Sequence, residues 1–326
     1  MTSPLAPPPE LLALLQMRAS FVLALHKGPD GDAMGSGLAL YHALRAHGKA
    51  VQLVAPTEVA AHYRWLPGAE VLQQSISGRP EVTIYLDCDS PERAGDLQAQ
   101  LEATPTVVQI DHHKGEAFGH VQYLDRTAAA TTVLIHRVLT ALQWEITPDI
   151  ATCLYTGMVT DTGFFRFENT NTEVLSIASQ LVALGVVPSQ VAERVSEARP
   201  ISRMKLMGRA LTGLQSSVDG RIVWSVLGPE DYQVTGTAAG DTEGIIDLLK
   251  QVEGQRVSAV LKAPDNVKEW QISLRSPVVD VAEVARQFGG GGHARAAGCD
   301  LSGSLDEVLP RLVGALQMAL DQLVEQ

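Results

Sequence analysis

Phe21-Val-Leu-Ala-Leu25 runs directly into His26-Lys-Gly-Pro-Asp30-Gly-Asp32, and small residues then lead into Leu38 to Leu44 at helical spacing. An apolar run, a polar loop and a helical pattern predict strand, loop and helix in that order. The unit recurs downstream: Val82 to Leu86 ends at Asp87, Thr106 to Ile110 ends at Asp111, and the apolar stretch through Val159 ends at Asp161. Helical patterns such as Ala129 to Leu142 fall between these runs. Strands alternating with helices predict an α/β domain with a mostly parallel sheet and right-handed crossovers. Ligands of such sheets bind beyond the carboxyl ends of the strands, where the sequence places its acidic residues and histidines.

A chain of 326 residues exceeds what one hydrophobic core usually supports, so two domains with a cleft between them are expected. Thr172 to Leu184 is helix-like up to Gly185, and Val187-Pro188-Ser189 begins another helix whose apolar residues give out near Arg199-Pro200. The predicted division is a catalytic domain over 10–185, a connector over 186–203 and a smaller α+β domain over 204–326. In the second domain Arg221 to Leu227, Val257 to Lys262 and Lys268 to Arg275 read as strands, and Leu305 to Leu323 as an amphipathic helix on their sheet. The active site is expected in the cleft.

A formal net charge of −12 repels polyanions and argues against a long duplex as partner. A small phosphorylated substrate stays open, because a few arginines and bound cations reverse the field locally. Cys88, Cys153 and Cys299 are few, scattered and odd in number, which suits a reducing compartment. Each reads as a small core residue, with a reactive thiol at Cys88, beside Asp87, as the minor alternative. Met1 to Pro9 is proline-rich without a basic start, and no apolar run approaches membrane-spanning length, so a cytoplasmic location and no membrane partner are expected.

His26, Asp30 and Asp32 stand at i, i+4 and i+6, and Gly28, Pro29 and Gly31 allow the tight backbone that would bring them together. Asp87, Asp111-His112-His113 and Asp161 add donors from separate elements, enough for two cations with a shared carboxylate. Imidazole among carboxylates without thiolate suits Mn²⁺ first, with Mg²⁺ or Co²⁺ as alternatives. Two such ions about 4 Å apart acidify a shared water and clamp the attacking and leaving oxygens of a phosphoryl displacement. A single aspartate after a strand is usually a turn residue or cap, and a lone histidine a satisfied side chain. Six at predicted strand ends of one sheet favour metal binding.

Gly289-Gly-Gly-Gly292-His293-Ala-Arg295-Ala-Ala-Gly298 could be a flexible link, the commonest reading of four glycines. A dinucleotide fingerprint lacks the surrounding strand-turn-helix unit. An anion nest of backbone N–H groups, aided by Arg275 and His293, fits better.

The sequence resembles the DHH phosphoesterases, named for the triplet present as Asp111-His112-His113. The likeness spans nearly the whole chain: His26-Lys-Gly-Pro-Asp30-Gly-Asp32, Leu86-Asp-Cys-Asp89, the triplet and Asp161-Thr162-Gly163 follow in order, then Ser273-Leu-Arg275-Ser276 and the glycine-rich run of a DHH-associated domain. It implies that His26, Asp30 and Asp87 hold one metal and Asp32, Asp87, His112 and Asp161 a second. It also implies catalytic roles for Asp87 as the bridge, His113 facing the scissile phosphate and Asp111 orienting a histidine. Arg275, Ser276, Gly290, Gly291, Gly292 and His293 would bind substrate. The branch it resembles includes nanoRNases, which trim very short oligonucleotides and in many cases dephosphorylate 3′-phosphoadenosine 5′-phosphate (pAp); homodimers are frequent there. Alternatives are a phosphodiesterase for cyclic di-AMP or its linear product pApA, a RecJ-like single-strand exonuclease, and a non-catalytic nucleotide sensor, which the intact ligand set disfavours.

Overall fold

The computed structural model describes residues 5–195, 200–242 and 244–323. The chain divides into two compact units, Met1–Ala198 and Arg199–Gln326. The first four residues of the proline-rich start and Arg199, where the helical pattern was expected to fade, lie outside the described residues.

In the first unit the elements run α1 (Pro9–Met17), β1 (Ser20–Ala24), α2 (Gly31–Ala46), β2 (Ala50–Val54), β3 (Leu72–Gln73), β4 (Val82–Leu86), α3 (Gln98–Glu102), β5 (Thr106–Asp111), β6 (Val121–Leu124), α4 (Thr131–Leu142), α5 (Pro148–Asp161), α6 (Thr172–Ala183) and α7 (Pro188–Val195). The six strands form one parallel sheet in the order β3-β2-β1-β4-β5-β6. Its central strands are buried almost end to end, which is why they read as unbroken apolar runs: helices cover both faces of a parallel sheet. After β1 the chain builds outward through β2 and β3, then returns to place β4 on the other side of β1. That reversal opens a crevice at the carboxyl ends of β1 and β4.

One expectation fails here. The apolar stretch ending at Asp161 is not a strand but the 14-residue helix α5, whose Thr147 hydroxyl accepts from Ile150 N at 3.4 Å. Helix α5 is buried on almost every side, so no polar stripe marks its period, and a short window of such a helix cannot be told from a buried strand. It packs against α2 and α4 at very close range. A Cβ on Gly35 would stand 2.5 Å from the Cys153 carbonyl oxygen, and one on Gly157 would stand 2.4 Å from Thr132 Cγ2.

The loop between β6 and α4 is pinned by Arg137, whose side chain is 10% exposed. Its guanidinium donates to Asp125 Oδ2 and, in bidentate fashion, to both Glu173 oxygens, each at 2.7 Å. The other Asp125 oxygen accepts from Thr127 N and Oγ1. All three cysteines are buried and free, and burial pushes the Cys88 thiol well above its usual range, so it is a packing residue rather than a nucleophile.

The second unit contains α8 (Ile201–Thr212), β7 (Gln215–Ser216), β8 (Ile222–Leu227), α9 (Pro229–Thr235), α10 (Ile245–Leu249), β9 (Val257–Lys262), β10 (Glu269–Arg275), α11 (Val281–Arg286), β11 (Gly291–His293), β12 (Ala296–Ser302) and α12 (Leu305–Gln322). Its sheet, β11-β12-β10-β9-β8-β7, is antiparallel except for the β8–β9 pair. Side chains alternate between two cores: Ile222 and Trp224 join Leu312 and Leu316 of α12, while Val223 joins Leu206 and Ala210 of α8. Helix α7 instead buries Val191 and Val195 in the first unit's core. Among the described residues no single helix is long and apolar enough to cross a membrane.

Candidate active site

The expected donors of the first unit converge in the crevice beyond β1, β4 and β5. His26 follows β1 and is 4% exposed. Its Nδ1 lies 3.0 Å from the Lys27 carbonyl, which accepts its proton and leaves Nε2 facing inward, 3.8 Å from Asp30 Oδ1 and 3.8 Å from Asp87 Oδ2. Asp30 is the N-cap of α2, accepting from Asp32 N and Ala33 N. Asp32, one residue inside that helix, is completely buried and accepts from Thr131 N, Thr132 N and Thr132 Oγ1 at 2.5, 2.9 and 2.8 Å.

Asp87 leaves β4 in a left-handed backbone conformation, with φ of 59°, and its carboxylate is buried. A non-glycine residue held there is strained, as functional positions often are. Oδ1 accepts from Thr131 Oγ1 at 2.8 Å and lies 3.7 Å from His112 Nε2 and 3.6 Å from His113 Nδ1. At the end of β5, Asp111 Oδ1 accepts from the backbone N–H groups of His112 and His113 and pairs with His113 Nδ1 at 2.8 Å. His112 Nδ1 lies 3.3 Å from the Ala128 carbonyl, and Nε2 lies 3.0 Å from Asp161 Oδ2 and 3.8 Å from Asp32 Oδ2. Asp161 ends α5, and the chain turns away through Gly163, Phe164 and Phe165, all left-handed.

Three donor groups result, each with its ligand atoms within 4.8 Å of one another: His26, Asp30 and Asp87; Asp32, His112 and Asp161; Asp87, His112 and His113. Asp87 and His112 each belong to two of them. The residues fit divalent cations: His112 Nε2 is buried among three carboxylates with no properly formed hydrogen bond, and Asp111 Oδ2 is buried with none. All donors are imidazole nitrogen or carboxylate oxygen.

Electrostatics agree with this. Burial, then the Asp161 charge, pushes Asp32 up to about 6, and burial among carboxylates pushes Asp87 well above the usual range. Burial alone would depress His112, but Asp161 and Asp32 raise it to about 9. Ionising Asp32 opposes folding from the ordinary carboxylate range up to about 6, and the stabilisation from charged His112 is lost as pH rises towards about 9. Both run the same way. Chelator-treated protein is therefore expected to lose stability as pH rises across that window, and saturating Mn²⁺ to flatten or reverse the trend, measured by urea unfolding at several pH values.

The substrate-binding residues expected from the sequence lie in the second unit. Arg275 closes β10, its Nη1 donating to the Leu274 carbonyl at 2.9 Å. It pairs with Ala296, which pairs in turn with the exposed His293. Arg275 and His293 thus share one rung and one face of the sheet, two strands and about 10 Å apart. The glycines are not a flexible link but edge strand β11 and its approach. Cβ atoms at Gly290 and Gly292 would stand 2.2 Å from the Gly298 and 2.6 Å from the Ala296 carbonyl oxygens, whereas Gly291 faces open space. Ser276 is a correction. Its hydroxyl donates to the Arg256 carbonyl at 2.7 Å and accepts from Val278 N and Val279 N, so it closes a turn with no capacity left for substrate.

Sequence reading missed Thr131, Thr132 and Asn169. Asn169 Nδ2 donates to the carbonyls of both Ala129 and Asp161 at 3.1 Å. The one available signal was a polar pair opening the helix straight after three alanines.

Residues 20–158 match the DHH family, N-terminal domain, and residues 230–323 match the DHHA1 domain. The chain is also 36% identical to a Thermus thermophilus bifunctional oligoribonuclease and PAP phosphatase NrnA, over 91% of this chain and 89% of that one. The chain belongs to the DHH phosphoesterase superfamily. A second DHH relative, the Bacillus subtilis bifunctional oligoribonuclease and PAP phosphatase NrnA, is 25% identical over 90% of this chain and 92% of its own. A solved exopolyphosphatase-related protein from Bacteroides fragilis superposes with a TM-score of 0.83 at 26% identity, covering 97% of each chain. The DHH triplet is Asp111-His112-His113, which ends β5 and begins the loop after it.

Proposed function

We propose that this DHH phosphoesterase is a manganese-dependent phosphodiesterase that hydrolyses di- to pentanucleotides to mononucleotides in the cytoplasm, and that it also dephosphorylates pAp. The observation that carries the reading is that Asp87 belongs to donor groups on both of its sides, Oδ2 facing His26 and Oδ1 facing His112, which suits two adjacent cations rather than one. Relatives named for both activities over nine-tenths of the chain support the substrate class.

His26, Asp30 and Asp87 would hold one cation, and Asp32, Asp87, His112 and Asp161 the other. Two divalent ions there supply an acidified water and positive charge at the attacking and leaving oxygens. Asp87 presents Oδ2 to the His26 side and Oδ1 to the His112 side. His113, half exposed, is oriented by Asp111, which raises its basicity and favours a charged imidazole that donates to a phosphoryl oxygen. The departing oxygen takes its proton from solvent.

In the second unit, Arg275 and His293 would hold a substrate phosphate; of the neighbouring glycines, Gly290 already gives its N–H to the Ala285 carbonyl at 2.9 Å. Arg275→Ala is expected to reduce kcat/KM on dinucleotides on the order of 10- to 100-fold, the loss of charge-assisted hydrogen bonds, and much less on an artificial diester with a single phosphate. Equal losses on both would remove Arg275 from the site. The overall reading is tested with oligonucleotides of increasing length, pAp, pApA and cyclic di-AMP, each in Mn²⁺ and Mg²⁺. Fastest turnover on the shortest linear substrates is expected. Steady shortening of a long single strand, or preference for the cyclic dinucleotide, would overturn it.

A further inference from the structure

We propose that Thr131 and Thr132 are positioning residues of the metal centre, holding Asp32 and Asp87 so that their unused lone pairs face the cations; this rests on the two-metal reading above. Threonines in the first turn of a helix ordinarily serve the helix itself. These do not. Thr131 Oγ1 donates to Asp87, 44 residues away, and Thr132 Oγ1 donates to Asp32, 100 residues away. The N-cap position, Ala130, has no side chain able to satisfy the first turn, and the N–H groups of Thr131 and Thr132 go to Asp32 instead.

The lone-pair count explains what this achieves. A carboxylate offers about four acceptor sites. Asp32 spends two on Oδ1 and one on Oδ2, so the free site lies on Oδ2, the oxygen 3.8 Å from His112 Nε2. Asp87 spends one on Oδ1, leaving Oδ2 whole towards His26. Charge-assisted bonds of this kind, two of them from backbone N–H groups at a helix N-terminus, also favour the ionised carboxylate a cation needs. Room for the arrangement comes from Gly157: a Cβ there would meet Thr132 Cγ2 at 2.4 Å and Asp32 Oδ1 at 2.7 Å. One short segment therefore sets two of the carboxylates that arrive from β4 and α2, far apart in sequence.

The test is calorimetric titration of the metal-free full chain with Mn²⁺, comparing wild type with Thr131→Val, Thr132→Val, Thr131→Ser and Asp87→Ala. Valine keeps the branched shape and the backbone N–H while deleting the hydroxyl. Loss of groups that orient ligands typically costs 10- to 100-fold in metal affinity, and that weakening is expected for both valine variants, with serine restoring most of it. The Mn²⁺ concentration giving half-maximal turnover should rise by the same factor, while the dinucleotide KM at saturating Mn²⁺ and the melting temperature in chelator stay near wild type. Should valine at 131 prevent folding, Thr131→Ser against Thr131→Ala carries the same comparison. Wild-type affinity in the valine variants, or equal weakening in serine and valine, would overturn the proposal. Unchanged Mn²⁺ stoichiometry in Asp87→Ala would instead overturn the two-metal reading on which it rests.

Discussion

Replacing Asp87 by alanine is expected to lower turnover by more than about 10³-fold, because one side chain serves both proposed cations. Its two oxygens face different partners, His26 on one side and His112 and His113 on the other, and the carboxylate is buried. Mn²⁺ stoichiometry should fall in parallel, measured by titration, with folding followed separately in chelator. The metal-free fold should tolerate the change. Asp87 is pushed well above the usual carboxylate range by burial and by Asp32, Asp30 and Asp161, so its removal relieves a repulsive cluster as well as a ligand site. Near-normal turnover at ordinary Mn²⁺ concentrations would contradict the assignment.

His113→Ala should cost about 10²- to 10³-fold in kcat with Mn²⁺ affinity changed only a few-fold, the pattern of a lost transition-state donor rather than a lost ligand. The geometry separates the two histidines of the triplet. His112 is 12% exposed with its Nε2 buried among three carboxylates, whereas the His113 side chain is 47% exposed and anchored through Nδ1 to Asp111. Asp111→Asn should reproduce part of the His113 defect, because an amide neither favours the charged ring nor fixes its orientation in the same way. A His113→Ala protein whose defect disappears on raising Mn²⁺ would place His113 among the metal ligands instead.

Much of this was legible from residues alone. The runs before His26, Asp87 and Asp111 are central parallel strands, covered on both faces, so each is a continuous apolar stretch that stops where the chain reaches the polar crevice. Asp161 was misplaced for the same physical reason turned around: α5 is apolar on nearly every side, and burial erases the periodicity that identifies a helix. Thr131 and Thr132 showed only as a polar pair at a helix start, since what matters is their long-range partners rather than their spacing. Ser276 was misread because a hydroxyl after a strand looks alike whether it meets a phosphate or ties its own turn.

The left-handed backbone at position 87 separates shape from charge in a way a saturation library would expose. Glycine and asparagine, the residues most at ease there, should dominate among soluble, inert clones. Valine, isoleucine and threonine should vanish earlier, at the stage of expression, because a branched Cβ resists that conformation. Sorting survivors first by solubility and then by catalysis would yield two different tolerance profiles for one codon.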